Sequence, residues 1–191
     1  MAFSPKSCQY LLFDLDGTLT DSREGILRCI EHALMACGRP KPERQTLYPF
    51  VGPPLYESFH DLMGMDETQT AFAIQKYRER FSTVGMFENA VYEGIPALLG
   101  QLKEKGYTLA VATSKPEVYT LQILTHFQLD AYFDVIAGSD IQNDTETKAD
   151  VIRKACKRLG LPTENPAGTV MIGDRKHDLI GCLLYTSPSP R

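Results

Sequence analysis

No stretch of the sequence approaches the roughly 20 apolar residues needed to cross a bilayer, and residues 1–9 lack the apolar segment of a secretory leader. A cytoplasmic location is therefore expected. A large excess of charge of one sign is also lacking. The formal net charge is −4, which gives no long-range attraction to nucleic-acid polymers or to an anionic membrane surface. Any phosphate this chain handles must be drawn by local cations, so the expected partner is a small-molecule phosphate ester. The five cysteines, at positions 8, 29, 37, 156 and 182, include no CxxC pair and no histidine at metal spacing. Neither a disulfide framework nor a zinc site is indicated, and the thiols read as reduced. Internal repeats and low-complexity segments are absent from residues 1–181.

What is present is a chain of 191 residues, 43% hydrophobic, long enough for one core carrying a smaller insert. Tyr10-Leu-Leu-Phe13 is a short apolar run that stops abruptly at Asp14-Leu-Asp16-Gly17, as a buried parallel strand does when it runs out into a loop. Similar runs occur at Thr108–Thr113, Phe133–Gly138 and Thr169–Gly173, and helix-period segments occur at Pro96–Lys105, Pro116–Phe127 and Lys148–Leu159. Alternating strands and helices predict an α/β fold with an open parallel sheet, whose ligands bind beyond the carboxyl ends of the strands.

Residues 21–87 differ. Ile26, Leu27, Ile30, Ala33, Leu34 and Cys37, then Phe72, Ala73, Tyr77 and Phe81, recur at helical spacing with no strand-like run among them. This segment reads as a helical insert, broken into three or four helices by Gly38, Pro40, Pro42 and the turn Val51-Gly-Pro-Pro54, with Pro54 suited to the first turn of a helix. The expected domains are a core of residues 1–20 and 88–181 and an insert of residues 21–87. A monomer or homodimer is expected.

Asp14 and Asp16 stand two residues apart directly after an apolar strand, and Gly17 permits a sharp turn beside them. A carboxylate can attack phosphorus only if its charge is screened and the phosphoryl oxygens are neutralised, which calls for a divalent cation and nearby donors. The second carboxylate can then protonate the leaving oxygen and later take a proton from the attacking water. An acidic loop that merely caps a strand is the competing reading of these two residues alone.

The heptad FDLDGTL at 13–19 resembles the first motif of the haloacid-dehalogenase-like phosphatases. That resemblance implies a Rossmann-like core with an inserted helical cap, Asp14 as nucleophile, Asp16 as acid and base, and Mg2+ as cofactor. It continues downstream. Thr113, in the run Val111–Lys115, matches the second motif, whose hydroxyl binds a phosphoryl oxygen, with Ser114 adding a donor; both also suit a helix N-cap before Pro116. Lys148 matches the third motif, a lysine that neutralises the phosphoryl group and holds the nucleophile ionised, although Ala149 stands where many relatives have proline. Asp174 and Asp178 match the fourth motif. The resemblance implies that Asp14, Asp16 and Asp174 hold the metal, with Asp178 in support, while His177 reads as an outer residue because Mg2+ prefers oxygen donors.

The insert falls where this family carries a cap that closes over the site, excludes water and selects the leaving group. The segments Phe50–Leu55, Phe87–Pro96 and Thr113–Pro116 resemble the phosphoglycolate-phosphatase-like group, and within it the branch described as 5'-nucleotidase-like. A nucleoside 5'-monophosphate is thus the expected substrate, with phosphoglycolate as the alternative. A phosphosugar mutase and a non-catalytic binding protein stand further back. Dehalogenase chemistry needs neither a metal nor an acid for the leaving group, so Asp16 and Asp174 argue against it. A phosphonatase needs an imine-forming cap lysine, and Lys41 and Lys76 stand in no such setting. Residues 182–191 change composition abruptly and match one reading frame of a transposase-type sequencing adapter, so they are read as adapter-derived, with a C-terminal βα unit expected to be missing.

Overall fold

Short, mostly apolar runs give the core its strands, and the structure, a computed structural model, describes residues 8–51, 53–142, 146–164, 166–175, 178 and 181. Residues 182–191 and His177 lie outside the described residues, as does Gly52 of the insert turn. The chain divides into two compact units, Met1–Asp21 with Val91–Arg191, and Ser22–Ala90.

In the first unit, Tyr10–Phe13 (β1), Thr108–Pro116 (β4), Val135–Ser139 (β5) and Thr169–Ile172 (β6) form a parallel sheet in the order β5-β4-β1-β6. Two short strands, Thr20–Asp21 (β2) and Ala90–Val91 (β3), pair separately. Leu12, Ala110, Ala112 and Ala137 lie on one face of the sheet, clustered with Val151, Ile152, Ala155 and Cys156 of the helix Lys148–Arg158 (α5). The alternate residues Leu11, Phe13, Leu109 and Val111 are also buried, as a sheet covered on both faces requires. Helices Ile95–Glu104 (α3) and Glu117–His126 (α4) complete the alternation of strand and helix. Among the described residues β6 is an edge with β1 as its neighbour, and all four of its residues are partly exposed.

The strand expected to end at Thr113 runs on to Pro116, with an irregular register between Ala112 and Pro116. The cause is tertiary. Gly138 lies so close to Glu117 and to the Lys115 carbonyl that a Cβ on it would come within 2.6 Å of both, and Pro116 pairs with Ser139.

The second unit is built on Arg23–Ala36 (α1) and Glu67–Phe81 (α2). Leu27, Ile30, Ala33 and Leu34 of α1 and Ala73, Tyr77 and Phe81 of α2 are buried, at the three- and four-residue spacing that makes one apolar stripe on each helix. Asp66 opens α2 by accepting a hydrogen bond from the Gln69 amide at 2.8 Å. Between the two helices run the 3-10 segment Arg44–Phe50 and the π-helical segment Glu57–Leu62. Proline at 49, inside the 3-10 segment, has no amide hydrogen to give an α-helix. Arg80 grips Glu88 with both guanidinium nitrogens, at 2.6 and 2.9 Å, and Arg28 adds a third bond at 2.7 Å.

Candidate active site

Asp14 is the first residue beyond β1, and its amide still donates to the Ile172 carbonyl at 2.9 Å, so sheet register fixes its place. Its carboxylate accepts the Leu15 amide at 2.8 Å and is almost wholly buried. The chain then turns back on itself: the amides of Thr18, Leu19 and Thr20 all converge on the Leu15 carbonyl, and the Gly17 amide reaches the Thr20 carbonyl. Gly17 sits at φ +81°, a conformation that costs other residues steric strain.

Lys148 opens α5, whose start is fixed by a reciprocal cap between Thr147 and Asp150. Ala149 in place of a proline leaves that start intact. The Lys148 ammonium is buried between two carboxylates, 2.9 Å from Asp14 Oδ1 and 2.6 Å from Asp178 Oδ1. Asp178 is itself held by the Arg175 amide on Oδ2 at 3.0 Å. Burial pushes the Asp14 carboxyl above its usual range; the Lys148 charge pulls it back, and the Asp178 charge adds to the rise.

The carboxylates of Asp14, Asp174 and Asp178 each offer an oxygen within 4.8 Å of the others, a group able to hold a metal ion. Two glycines make room for it: a Cβ on Gly17 would fall 2.3 Å from Asp174 Oδ2, and one on Gly173 would fall 2.3 Å from the Asp178 carboxylate. The all-oxygen donor set suits Mg2+. Asp16 is not in that group. Its Oδ2 lies 2.9 Å from the ammonium of Lys115, and its Oδ1 is buried without a hydrogen bond among the described residues, as is Thr18 Oγ1. Buried polar atoms left in this state are expected to gain a partner from bound ligand or water.

Thr113 is buried and hydrogen-bonds Asp14, joining the group, whereas Ser114 is exposed, with its carbonyl accepting from Ser139 Oγ at 2.8 Å. Lys115 is a residue of this site that the sequence analysis does not single out. Its signal is position: two residues beyond Thr113, it shares a strand parity with that residue if the strand continues.

A buried carboxylate at the carboxyl end of a parallel strand, faced by a lysine and two further carboxylates, defines a phosphoryl-handling hydrolase class. Residues 11–183 match the family described as haloacid dehalogenase-like hydrolase, and the chain belongs to that family, as a phosphatase-type enzyme. It is 46% identical over 171 residues to a 5'-nucleotidase of Pseudomonas aeruginosa, covering 90% of this chain and 76% of that protein. It is 42% identical over 185 residues to the tyrosine-protein kinase PtkA of Mycobacterium tuberculosis, covering 96% of this chain and 62% of the relative. Among solved structures, a "predicted phosphatase" from Clostridium acetobutylicum superposes with a TM-score of 0.84 at 47% identity, over 95% of this chain and 83% of that one.

Proposed function

We propose that this chain is a Mg2+-dependent phosphomonoesterase that passes the phosphoryl group through Asp14 and acts on a small phosphometabolite, foremost a nucleoside 5'-monophosphate, in the cytoplasm. The observation that carries the reading is the buried triad in which Lys148 stands 2.9 Å from Asp14 and 2.6 Å from Asp178. An ammonium there keeps Asp14 available as a nucleophile despite its burial and can bind a phosphoryl oxygen.

In the first step an Asp14 oxygen bonds to phosphorus. The bond from phosphorus to the leaving oxygen breaks with its electron pair on that oxygen, which takes a proton from Asp16. In the second, water gives a proton to Asp16 as its oxygen bonds to phosphorus, and the bond to Asp14 breaks, yielding inorganic phosphate and the free carboxylate. Thr113 donates to the phosphoryl group. Asp14, Asp174 and Asp178 would hold Mg2+, which supplies charge neutralisation on the phosphoryl oxygens. The Asp16 carboxylate, paired with Lys115 and outside that group, is left for proton transfer.

The choice of a nucleotide rests on the 46% identity to a protein named 5'-nucleotidase and on the resemblance of the Phe50–Leu55 segment. Asp14→Asn is expected to remove turnover while leaving the circular dichroism spectrum unchanged; residual activity above about a tenth of wild type would defeat the nucleophile assignment. A substrate panel decides the leaving group. A kcat/KM for phosphoglycolate about tenfold above that of every nucleotide would reverse the choice.

A further inference from the structure

Lys115 has a buried side chain, 7% exposed, and its ammonium lies 2.9 Å from Asp16 Oδ2. Asp16 is more open, with its side chain 23% exposed, so the pair is half-buried, and its charge-assisted hydrogen bond is directional. The backbone around Lys115 is fixed on several sides. Its amide donates to Thr113 Oγ1 at 3.3 Å, Thr120 Oγ1 donates to its carbonyl at 3.4 Å, and Gly138 is packed against that same carbonyl. The irregular register of β4 between Ala112 and Pro116 falls on this stretch. The two oxygens of Asp16 are therefore in different states: Oδ2 is anchored, and Oδ1 is buried with no hydrogen bond among the described residues.

We infer that Lys115 is a positioning residue that orients the Asp16 carboxyl group, leaving Oδ1 as the atom that carries the proton to and from the reacting oxygens. This rests on the phosphatase reading above, in which Asp16 is the acid and base. A carboxyl group protonated on Oδ1 can still accept the Lys115 bond on Oδ2, so the anchor holds through both steps. In the first step the proton leaves Oδ1 for the departing oxygen; in the second Oδ1 receives one from water. Without the anchor, the Asp16 carboxyl group is free to rotate, and proton transfer loses its geometry.

The test is the dependence of kcat/KM on the leaving group, which reports the step up to formation of the phosphoaspartate. p-Nitrophenyl phosphate releases an anion that needs no proton, whereas phenyl phosphate benefits from one. With the full chain, Lys115→Met is expected to widen the ratio of the two kcat/KM values by about tenfold or more, as Asp16→Asn does. The double variant is expected to be no worse than the lower single variant within about threefold, because both changes disable one device. Lys115→Arg, which keeps the charge but not the shape of the ammonium, is expected to hold the ratio nearer to wild type than Lys115→Met does. Equal losses on the two esters in Lys115→Met, or multiplying losses in the double variant, would overturn the inference. If Lys115→Met does not fold, Lys115→Gln decides it: a ratio within about threefold of wild type there overturns the inference. Should Asp16→Asn leave the ratio unchanged, the acid role itself fails; should Asp16→Asn widen it and Lys115→Met not, only the positioning role fails.

Discussion

Gly17 and Asp174 approach so closely that nothing larger than a hydrogen fits between them: a Cβ on Gly17 would lie 2.3 Å from Asp174 Oδ2 and 2.6 Å from its Cγ. The two residues come from different strand ends, and their contact presses the turn after Asp14 against the carboxylate after β6.

Gly17→Ala is thus opposed twice, by the clash and by the left-handed backbone at φ +81°. The expected loss of stability is about 1–3 kcal/mol, read as a lower thermal midpoint. A displaced Asp174 should also weaken metal binding, so the Mg2+ concentration for half-maximal phosphatase activity should rise by about tenfold. Wild-type midpoint and Mg2+ requirement in this variant would contradict the packing argument.

Lys148→Met removes the cation between two buried carboxylates. Asp14 is already pushed up by burial, and losing the Lys148 charge pushes it further in the same direction. A group whose folded-state value is raised contributes stability below its unfolded value and loses it as pH rises through the folded one. In EDTA, the thermal midpoint of Lys148→Met should therefore fall more steeply than that of wild type as pH rises through and above the carboxylate range. Activity at neutral pH should drop by about a thousandfold. Parallel midpoint curves for the two proteins would contradict this account of the triad.

Glu88 gives the opposite sign. The Arg80 hydrogen bonds hold its carboxyl below the usual value against the opposing effect of burial, with Arg28 assisting. Its contribution is present above the unfolded value, near 4.5, and is lost as pH falls through the lower folded value. Glu88→Gln should cost about 1–3 kcal/mol at neutral pH, and the gap from wild type should narrow as the solution is acidified to about pH 3. Urea midpoints at the two pH values measure it; a gap that stays constant would assign the loss to packing instead of charge.

The strands, and most of the site, were legible because a buried parallel strand writes itself as an apolar run and a functional loop follows where it stops. Tyr10–Phe13 is matched to the residue, and Asp14 and Asp174 fall directly after an apolar run or one glycine beyond it. What did not show was the pairing of long side chains. Lys115 and Asp16 are nearly a hundred residues apart in sequence, and their meeting depends on an irregular β4 set by Gly138, a tertiary cause that no local pattern records. The short 3-10 and π-helical pieces of Ser22–Ala90 look like ordinary helices in the sequence for a similar reason: their apolar spacing is helical, and the winding is decided by proline and packing.

The pairing of β1 with β6 runs Tyr10 to Thr169, Leu11 to Val170, Leu12 to Met171 and Phe13 to Ile172 without a break. The two acidic turns inherit their alignment from this ladder, so the chain's tolerance of length changes is lopsided. A residue gained or lost before Gly168, where β6 has yet to begin, can be absorbed by the connecting loop. The same change between Thr169 and Asp174 would send every later side chain to the opposite face of the sheet. Divergence in this protein is thus free to lengthen or shorten one rim of the sheet, while at the other rim only substitution is open to it.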